Sequence, residues 1–274
     1  YSFTSGEIWE GDIEGAGTDN GGDPAATIGL NGRWYVNFIN NSGGMGVSYS
    51  DDQGSTWTVK QAAPNPGIIT DKNHMWIDNS SSSPYEGNLY VAWTNAGGLY
   101  DAEIGFSYST DNGNTWTVNS DISSDVNAGS HNQGVNLSTG PNGEIYAVWA
   151  IYDSWPSGGS DESAIGMATS LDGGVSLEPA QRIITNIRGI RASGTSKNMR
   201  VNSFPVATVD NSNGADNGAI YITWANIGTP GINTGNDIDI YVIKSSDKGG
   251  TWSNPLKVNS DEAGLGKQHF FSWI

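Results

Sequence analysis

Apolar and polar residues alternate with a period of two along short runs of this chain, and no stretch carries a convincing helical period. Leu89-Tyr90-Val91-Ala92-Trp93 sets Tyr90 and Ala92 on one face of an extended strand and Val91 and Trp93 on the other. Both faces are apolar, which predicts a sheet buried on its two sides. The same aromatic pairing recurs at Trp34 to Phe38, Ile145 to Trp149 and Ile220 to Trp224. Each such run is followed by a strand that ends in serine, at Gly46 to Ser50, Gly105 to Ser109 and Tyr241 to Ser245. An upstream strand precedes it, at Ala25 to Gly29, Met75 to Asp78, Gly134 to Ser138 and Phe204 to Asp210, and once more at Phe270 to Ile274. The pattern predicts a repeated four-stranded unit.

The serine-ending strands run into an eight-residue pattern, Ser-x-Asp-x-Gly-x-Thr-Trp, intact at Ser50 to Trp57, Ser109 to Trp116 and Ser245 to Trp252. A degenerate copy, Ser170 to Leu177, keeps the Ser, Asp and Gly. At the N-terminus Ser2, Gly6 and Trp9 keep the frame, with Thr4 where an aspartate is expected. The physics is that of a tight hairpin: Asp accepts N–H bonds across the turn, Gly takes a positive φ and Trp covers the neighbouring repeat. The residues assigned to these roles are Asp51, Gly54 and Trp57, then Asp111, Gly113 and Trp116, then Asp172 and Gly174, then Asp247, Gly249 and Trp252. This pattern resembles the Asp-box (BNR) repeats of sialidase-like β-propellers of the secreted or cell-surface bacterial type, over essentially the whole chain. The resemblance implies an all-β propeller of four-stranded antiparallel blades, with the boxes on outer hairpins away from the substrate.

One domain over residues 1–274 is expected, with the end of a preceding blade at 1–11 and blades at 12–60, 61–119, 120–183 and 184–258. Residues 259–274 are expected to open a following blade. Four complete blades with partial blades at both ends leave sheet edges unpaired, so a six-bladed ring is favoured over a five-bladed ring closed by the two ends. The chain starts at Tyr1 and is read as a processed or truncated product of a larger parent.

The net charge of −17 disfavours nucleic acid and anionic membrane surfaces as partners, since binding either begins with Lys and Arg on phosphate. No run approaches the roughly 18 apolar residues of a membrane span. The absence of cysteine excludes disulfides and thiol chemistry. A secreted or cell-surface location follows from the resemblance, and the expected partners are a glycan or a cell-surface protein.

In an up-and-down blade, the hairpins joining strands one to two and three to four share one end, so all boxes fall there. The long connectors, Lys60 to His74, Asn119 to Gln133, Ala150 to Ser163 and Arg182 to Ser203 among them, fall at the other end, which is therefore the candidate site. The three histidines, His74, His131 and His269, each sit just before an inner strand. They either bond the strand entries, or recognise a sugar or carboxylate, or meet on a metal. Between Glu178 and Asp210 there is no acid, yet Arg182, Arg188, Arg191, Lys197 and Arg200 fall there. With Lys72 they are candidates to grip a carboxylate or sulfate, against the alternative of a solvated loop paired with acids elsewhere. Tyr152, Asp153, Trp155 and Glu162 join aromatic rings to carboxylates beside a strand end, as do Tyr100, Asp101 and Glu103 one blade earlier. No cofactor is expected. The acidic segment Asp12, Glu14, Asp19 and Asp23 offers a calcium alternative, though its spacing matches no EF-hand loop.

An active sialidase would imply an Arg-Ile-Pro motif, three arginines from separate blades, a Tyr–Glu pair and an acid/base Asp. The motif is absent and four of the five arginines share one segment, so no sialidase catalytic residue is carried over. Three classes remain: a propeller that binds glycan or a protein without catalysis, a carbohydrate-active enzyme (glycoside hydrolase or polysaccharide lyase), and a structural module of an adhesin or secreted cargo protein. For the enzyme, the candidate centre is His131, Tyr152 and Arg200, with Asp153 beside it.

Overall fold

The computed structural model describes residues 4–9, 19–65, 69–97, 103–119, 121–126, 129–155 and 160–274. Among them the chain forms four antiparallel sheets of four strands, each a meander of consecutive strands. The first holds β1 (Asn20–Ile28), β2 (Trp34–Asn40), β3 (Met45–Ser50) and β4 (Thr58–Ala63). The second holds β5 (Ile69–Ile77), β6 (Leu89–Ala96), β7 (Ile104–Ser109) and β8 (Thr117–Asn119). The third holds β9 (His131–Thr139), β10 (Ile145–Tyr152), β11 (Ala164–Ser170) and β12 (Gln181–Thr185). The fourth holds β13 (Val206–Val209), β14 (Ile220–Ile227), β15 (Ile238–Ser245) and β16 (Leu256–Lys257).

The sheets stack face to face, and the period-two alternation divides each strand between two interfaces. On β6, Leu89, Val91 and Trp93 join Tyr35 and Val47 of the first sheet, while Tyr90 and Ala92 join Leu137, Ile145 and Trp149 of the third. On β10, Tyr146 and Val148 turn the other way, onto Ile222, Trp224 and Tyr241 of the fourth. Each fully buried side chain of this size contributes about 1.5–3 kcal/mol. The core is thus spread between sheets rather than gathered in one centre.

First strands lie side by side in chain order, β1 on β5, β5 on β9 and β9 on β13. His74 is part of that stitching. The Leu137 N–H donates to its Nδ1 at 3.2 Å, its Nε2 lies 3.2 Å from Asn136 Nδ2, and Asn136 Oδ1 accepts the Ala207 N–H at 2.9 Å. The sequence places His74 ahead of its strand, whereas it lies inside β5.

All four turns between third and fourth strands have one geometry. The serine hydroxyl donates to the aspartate at 2.8–2.9 Å and accepts the glycine N–H at 2.8–2.9 Å. The aspartate in turn accepts the N–H of the following Thr or Ser at 2.8–2.9 Å and its hydroxyl at 2.6–2.7 Å. Gly54, Gly113, Gly174 and Gly249 have φ of 81–96°, which only glycine adopts without strain. In the first copy the bonded aspartate is Asp52, not Asp51. Asp51 lies one residue early, points away from the turn and takes Arg33 Nε at 2.6 Å and Nη2 at 2.7 Å. In the N-terminal copy the Thr4 hydroxyl accepts the Ile8 N–H at 2.7 Å, the bond the aspartates make elsewhere. Trp116, Leu177 and Trp252 pack against the clusters between first and second, second and third, and third and fourth sheets.

The turns share one end of the molecule with the first hairpin of each sheet. Arg33 Nη1 reaches the Asn112 carbonyl at 3.0 Å, and Lys248 pairs with Glu144 at 2.8 Å. Both of these contacts join one sheet's first hairpin to the next sheet's serine–aspartate turn.

The expected strand at Phe270–Ile274 does not form. Gln268 bridges Ile238 in parallel, and the His269 N–H donates to the Ile238 carbonyl at 2.8 Å. Phe270 then packs on the cluster around Ile190, Val201 and Ile227, and Phe271 turns to a φ of 59°, which ends any extended run.

Candidate functional site

At the connector end, three successive first strands are interrupted at corresponding places. The register of β1 shifts between Gly22 and Ala25, that of β5 between Asp71 and His74, and β9 takes an extra residue opposite Val148 and Ala150. Each interruption holds a residue with left-handed backbone: Asp23 at φ 50°, Lys72 at φ 51° and Gly134 at φ 75°. Two of the three are not glycine. Bulges re-aim side chains and concentrate at functional sites.

A chain of polar contacts crosses these bulges. Lys72 Nζ lies 3.7 Å from Asp23 and 3.0 Å from Asp71. Gln133 Nε2 donates to Asp71 Oδ2 at 3.3 Å. Arg191 Nη1 donates to Gln133 Oε1 at 3.3 Å and to Asn202 Oδ1 at 2.9 Å. Arg191 comes from the long connector after β12, so three sheets and one connector supply the cluster.

Aromatic rings complete it. His131 stacks on Trp155 with centroids 3.8 Å apart and planes 9° from parallel, and Tyr152 meets the edge of Trp155 at 4.6 Å. The Arg191 guanidinium lies 4.7 Å from the Trp155 ring centroid and 5.9 Å from that of Tyr152. His131 and Tyr152 are buried and Trp155 is half-buried.

The connector is held in place by two adjacent acids. Glu162, 1% exposed, accepts the N–H groups of Ile190 (3.0 Å), Arg191 (3.2 Å) and Ser203 (2.9 Å) and the Tyr152 hydroxyl (2.8 Å). Asp161 accepts the Ala192 N–H at 2.7 Å and the Ser193 N–H at 2.8 Å. Burial pushes the Glu162 carboxyl up, and burial with the nearby Glu162 charge pushes the Tyr152 phenol up. An accessible, easily ionised hydroxyl is what a nucleophile requires. Tyr152 has neither property in this arrangement.

The remaining sequence candidates separate from this cluster. Asp153 pairs with Arg182 at 2.7 Å, and that hydrogen bond holds its carboxyl below the usual range, opposite to the raised pKa of a general acid. Arg188 lies 3.9 Å from Asp161 and donates to the Asn233 carbonyl at 3.4 Å, tying the connector to the β14–β15 loop. Lys197 and Arg200 are exposed, and among the described residues no hydrogen bond or ion pair joins either to His131. Of the trio His131, Tyr152 and Arg200, the first two meet with ring centroids 5.9 Å apart, and the guanidinium over the Tyr152 ring is that of Arg191. The reason is the path of the connector, whose Ile190–Arg191 turn is drawn inward by Glu162. Burial lowers the His74 pKa to about 4, which keeps the ring neutral between its strands. Tyr100, Asp101, Asp12 and Glu14 lie outside the described residues.

His269 has partners of its own, distinct from those of His74 and His131. It pairs with Asp261 at 3.1 Å, and with Asp239 these two form a carboxylate–imidazole group whose ligand atoms lie within 4.8 Å. Lys257 Nζ already stands 3.0 Å from Asp239, and the Asn259 amide donates to both acids. The charge a metal would supply is supplied by the ammonium. Asp19 and Asp23 are not brought together: Asp19 gives its carbonyl to the Asn41 N–H, and Asp23 faces Lys72.

Four consecutive four-stranded meanders, stacked face to face with their first strands adjacent, decide the architecture. The chain is a β-propeller. No family model and no curated protein matches it. A solved structure of a protein of unknown function from Dyadobacter fermentans is similar over 87% of this chain and 65% of its own, at 15% identity and a TM-score of 0.53. An intramolecular trans-sialidase from Ruminococcus gnavus is similar over 80% of this propeller and 42% of its own chain, at 19% identity and a TM-score of 0.49. For the Bacteroides ovatus xyloglucan PUL GH43B the figures are 91%, 43%, 14% and 0.47. The propeller thus spans just under two thirds of the first and less than half of the other two. At these identities the likeness concerns the fold alone.

Sequence reasoning missed Asp71, Gln133 and Asn202, and gave no sign that Glu162 anchors backbone N–H groups of the connector. The signal for Gln133 was its place directly before Gly134, where a glycine inside a strand marks a bulge.

Proposed function

We propose that this chain is a glycan-recognising propeller of the sialidase-like Asp-box kind, secreted or displayed on a cell surface, whose connector end binds an acidic glycan without cleaving it. The observation that carries this reading is the Trp155 ring with Arg191 and His131 both against it, linked through Gln133 and Asp71 to Lys72. A planar guanidinium suits a carboxylate or sulfate, an indole face suits the apolar side of a sugar ring, and Asp23 and Asp71 suit its hydroxyls. On a chain of net charge −17 an anionic ligand is repelled at long range, so recognition of one requires cations concentrated at the site.

Binding without turnover is favoured by the state of the acids. Tyr152 and Glu162 are buried against each other, and Asp153 is committed to Arg182.

The test is a glycan array of uronate-, sialate- and sulfate-bearing oligosaccharides beside neutral ones, with reducing-sugar and unsaturated-uronate assays on the same panel. Retention of an acidic class, a roughly tenfold loss in Arg191→Ala and in Lys72→Ala, and no product are expected. Retention of no acidic glycan, or equal retention by both variants, defeats the reading. Product formation would instead establish the enzyme.

A further inference from the structure

A concavity lies at the opposite end of the sheets from the connectors, among the first hairpins. It measures about 340 Å³, within the range of small-ligand sites, and all four sheets contribute to its wall. Thr27 comes from β1, Trp76 from β5, Thr139 from β9, and Asn211 and Asn213 from the hairpin after β13. Asn79 and the serine run from Ser80 to Ser82 come from the hairpin after β5. None of these side chains ionises. On a chain with 29 acidic and 12 basic residues, an uncharged wall of hydroxyls and amides contrasts with the charged connector end.

The wall is preorganised by bonds between sheets. Asn79 Nδ2 donates to the Ile28 carbonyl at 3.0 Å, tying the second sheet to the first. Ser80 and Ser82 Oγ donate to the Pro141 carbonyl at 3.1 and 2.7 Å, tying the second to the third. Asn211 Nδ2 donates to the Thr139 carbonyl at 3.1 Å, tying the fourth to the third. Each bond consumes a donor and leaves the partner oxygen of the amide or hydroxyl able to accept. The half-buried Trp76 indole donates to Thr139 Oγ1 at 3.0 Å and stacks on His74 at 6.3 Å with planes 16° apart, so its ring plane is fixed.

We propose that this hairpin-end pocket binds a neutral saccharide. A fixed indole beside a ring of neutral donors and acceptors matches a pyranose, which offers an apolar face and a rim of hydroxyls. An ionic ligand would lose its hydration and gain no counter-charge there. Preorganised side chains lose little rotamer freedom on binding, which lets a small site hold a small ligand. This pocket is independent of the acidic-glycan site: it lies at the other end of the sheets and shares no lining residue with it.

The test is saturation-transfer NMR and titration calorimetry on the whole chain with cello-, xylo-, malto- and galacto-oligosaccharides. Ser81 and Asn213 are exposed, so Ser81→Glu and Asn213→Leu change the mouth without disturbing the core. At least one neutral oligosaccharide is expected to bind, with affinity lowered about tenfold in Ser81→Glu and unchanged in Lys72→Ala. The proposal is overturned if no member of the panel binds, or if binding survives both mouth variants. It is equally overturned if Lys72→Ala abolishes binding, which would assign the sugar to the connector end.

Discussion

The carboxylate of Glu162 holds the backbone of Arg191: Oε2 accepts its N–H at 3.2 Å and that of Ile190 at 3.0 Å. The aim of a cation at the mouth is therefore set by an acid that is shut away from solvent. Since Oε1 also takes the Ser203 N–H and the Tyr152 hydroxyl, one side chain pins both ends of the connector to the third blade.

Replacing that acid should cost more than any contact at the mouth. Glu162→Ala leaves three backbone N–H groups and one phenol without their acceptor, which is expected to lower stability by about 3–5 kcal/mol. Urea denaturation measures this. Variant protein that still folds should have lost acidic-glycan affinity although Arg191 is intact; retained affinity would show that the connector does not depend on Glu162.

His74 makes folding sensitive to mild acid. Burial lowers its pKa from 6.5 to about 4, so between those values the unfolded chain binds a proton that the folded chain refuses. Stability must then fall as pH drops from 6.5 towards 4, by up to about 3 kcal/mol from this group. Above pH 6.5 its contribution is flat. His74→Gln removes the titration, so the difference in unfolding free energy between the two proteins should change across that window and nowhere above it.

The strands and the turns could be read from the sequence because their causes are local. The alternation at Leu89–Trp93 records two buried faces, and Ser109, Asp111 and Gly113 bond one another within four residues. Glu162 could not be read this way, since the three connector N–H groups it holds lie 28 to 41 residues away and belong to the backbone, which carries no residue-type signal. The place of Arg191 over the aromatic rings was illegible for the same reason: nearness to an inner strand in sequence says nothing about which turn an anchoring acid draws inward. The bulge at Lys72 was hidden because a left-handed lysine leaves no sequence signal, whereas Gly134 leaves one.

Adjacent aspartates in the first turn provide an internal control. Asp52 is held by the Thr56 hydroxyl and N–H and by Ser50, which lowers its pKa, while Asp51, itself exposed, makes an ion pair with the half-buried Arg33 at the surface. Exposed ion pairs are worth little and are screened by salt. Asp52→Ala should lower Tm clearly more than Asp51→Ala, and only the smaller effect should vanish at high ionic strength. An equal loss from both would show that the turn does not depend on its buried-serine network.

Tyr152 separates the binding and enzyme readings most cleanly. Its hydroxyl donates to Glu162 at 2.8 Å, and the side chain is fully buried. Tyr152→Phe keeps the ring against Trp155 and removes only that bond, so it should cost about 1–2 kcal/mol of stability. Acidic-glycan affinity should stay within about threefold, because Arg191 and Trp155 keep their anchors. A nucleophile or proton shuttle behaves differently: the same change would spare binding and folding yet abolish product formation. Calorimetry, denaturation and the unsaturated-uronate assay on one preparation of Tyr152→Phe therefore distinguish a residue that braces the mouth from one that reacts there.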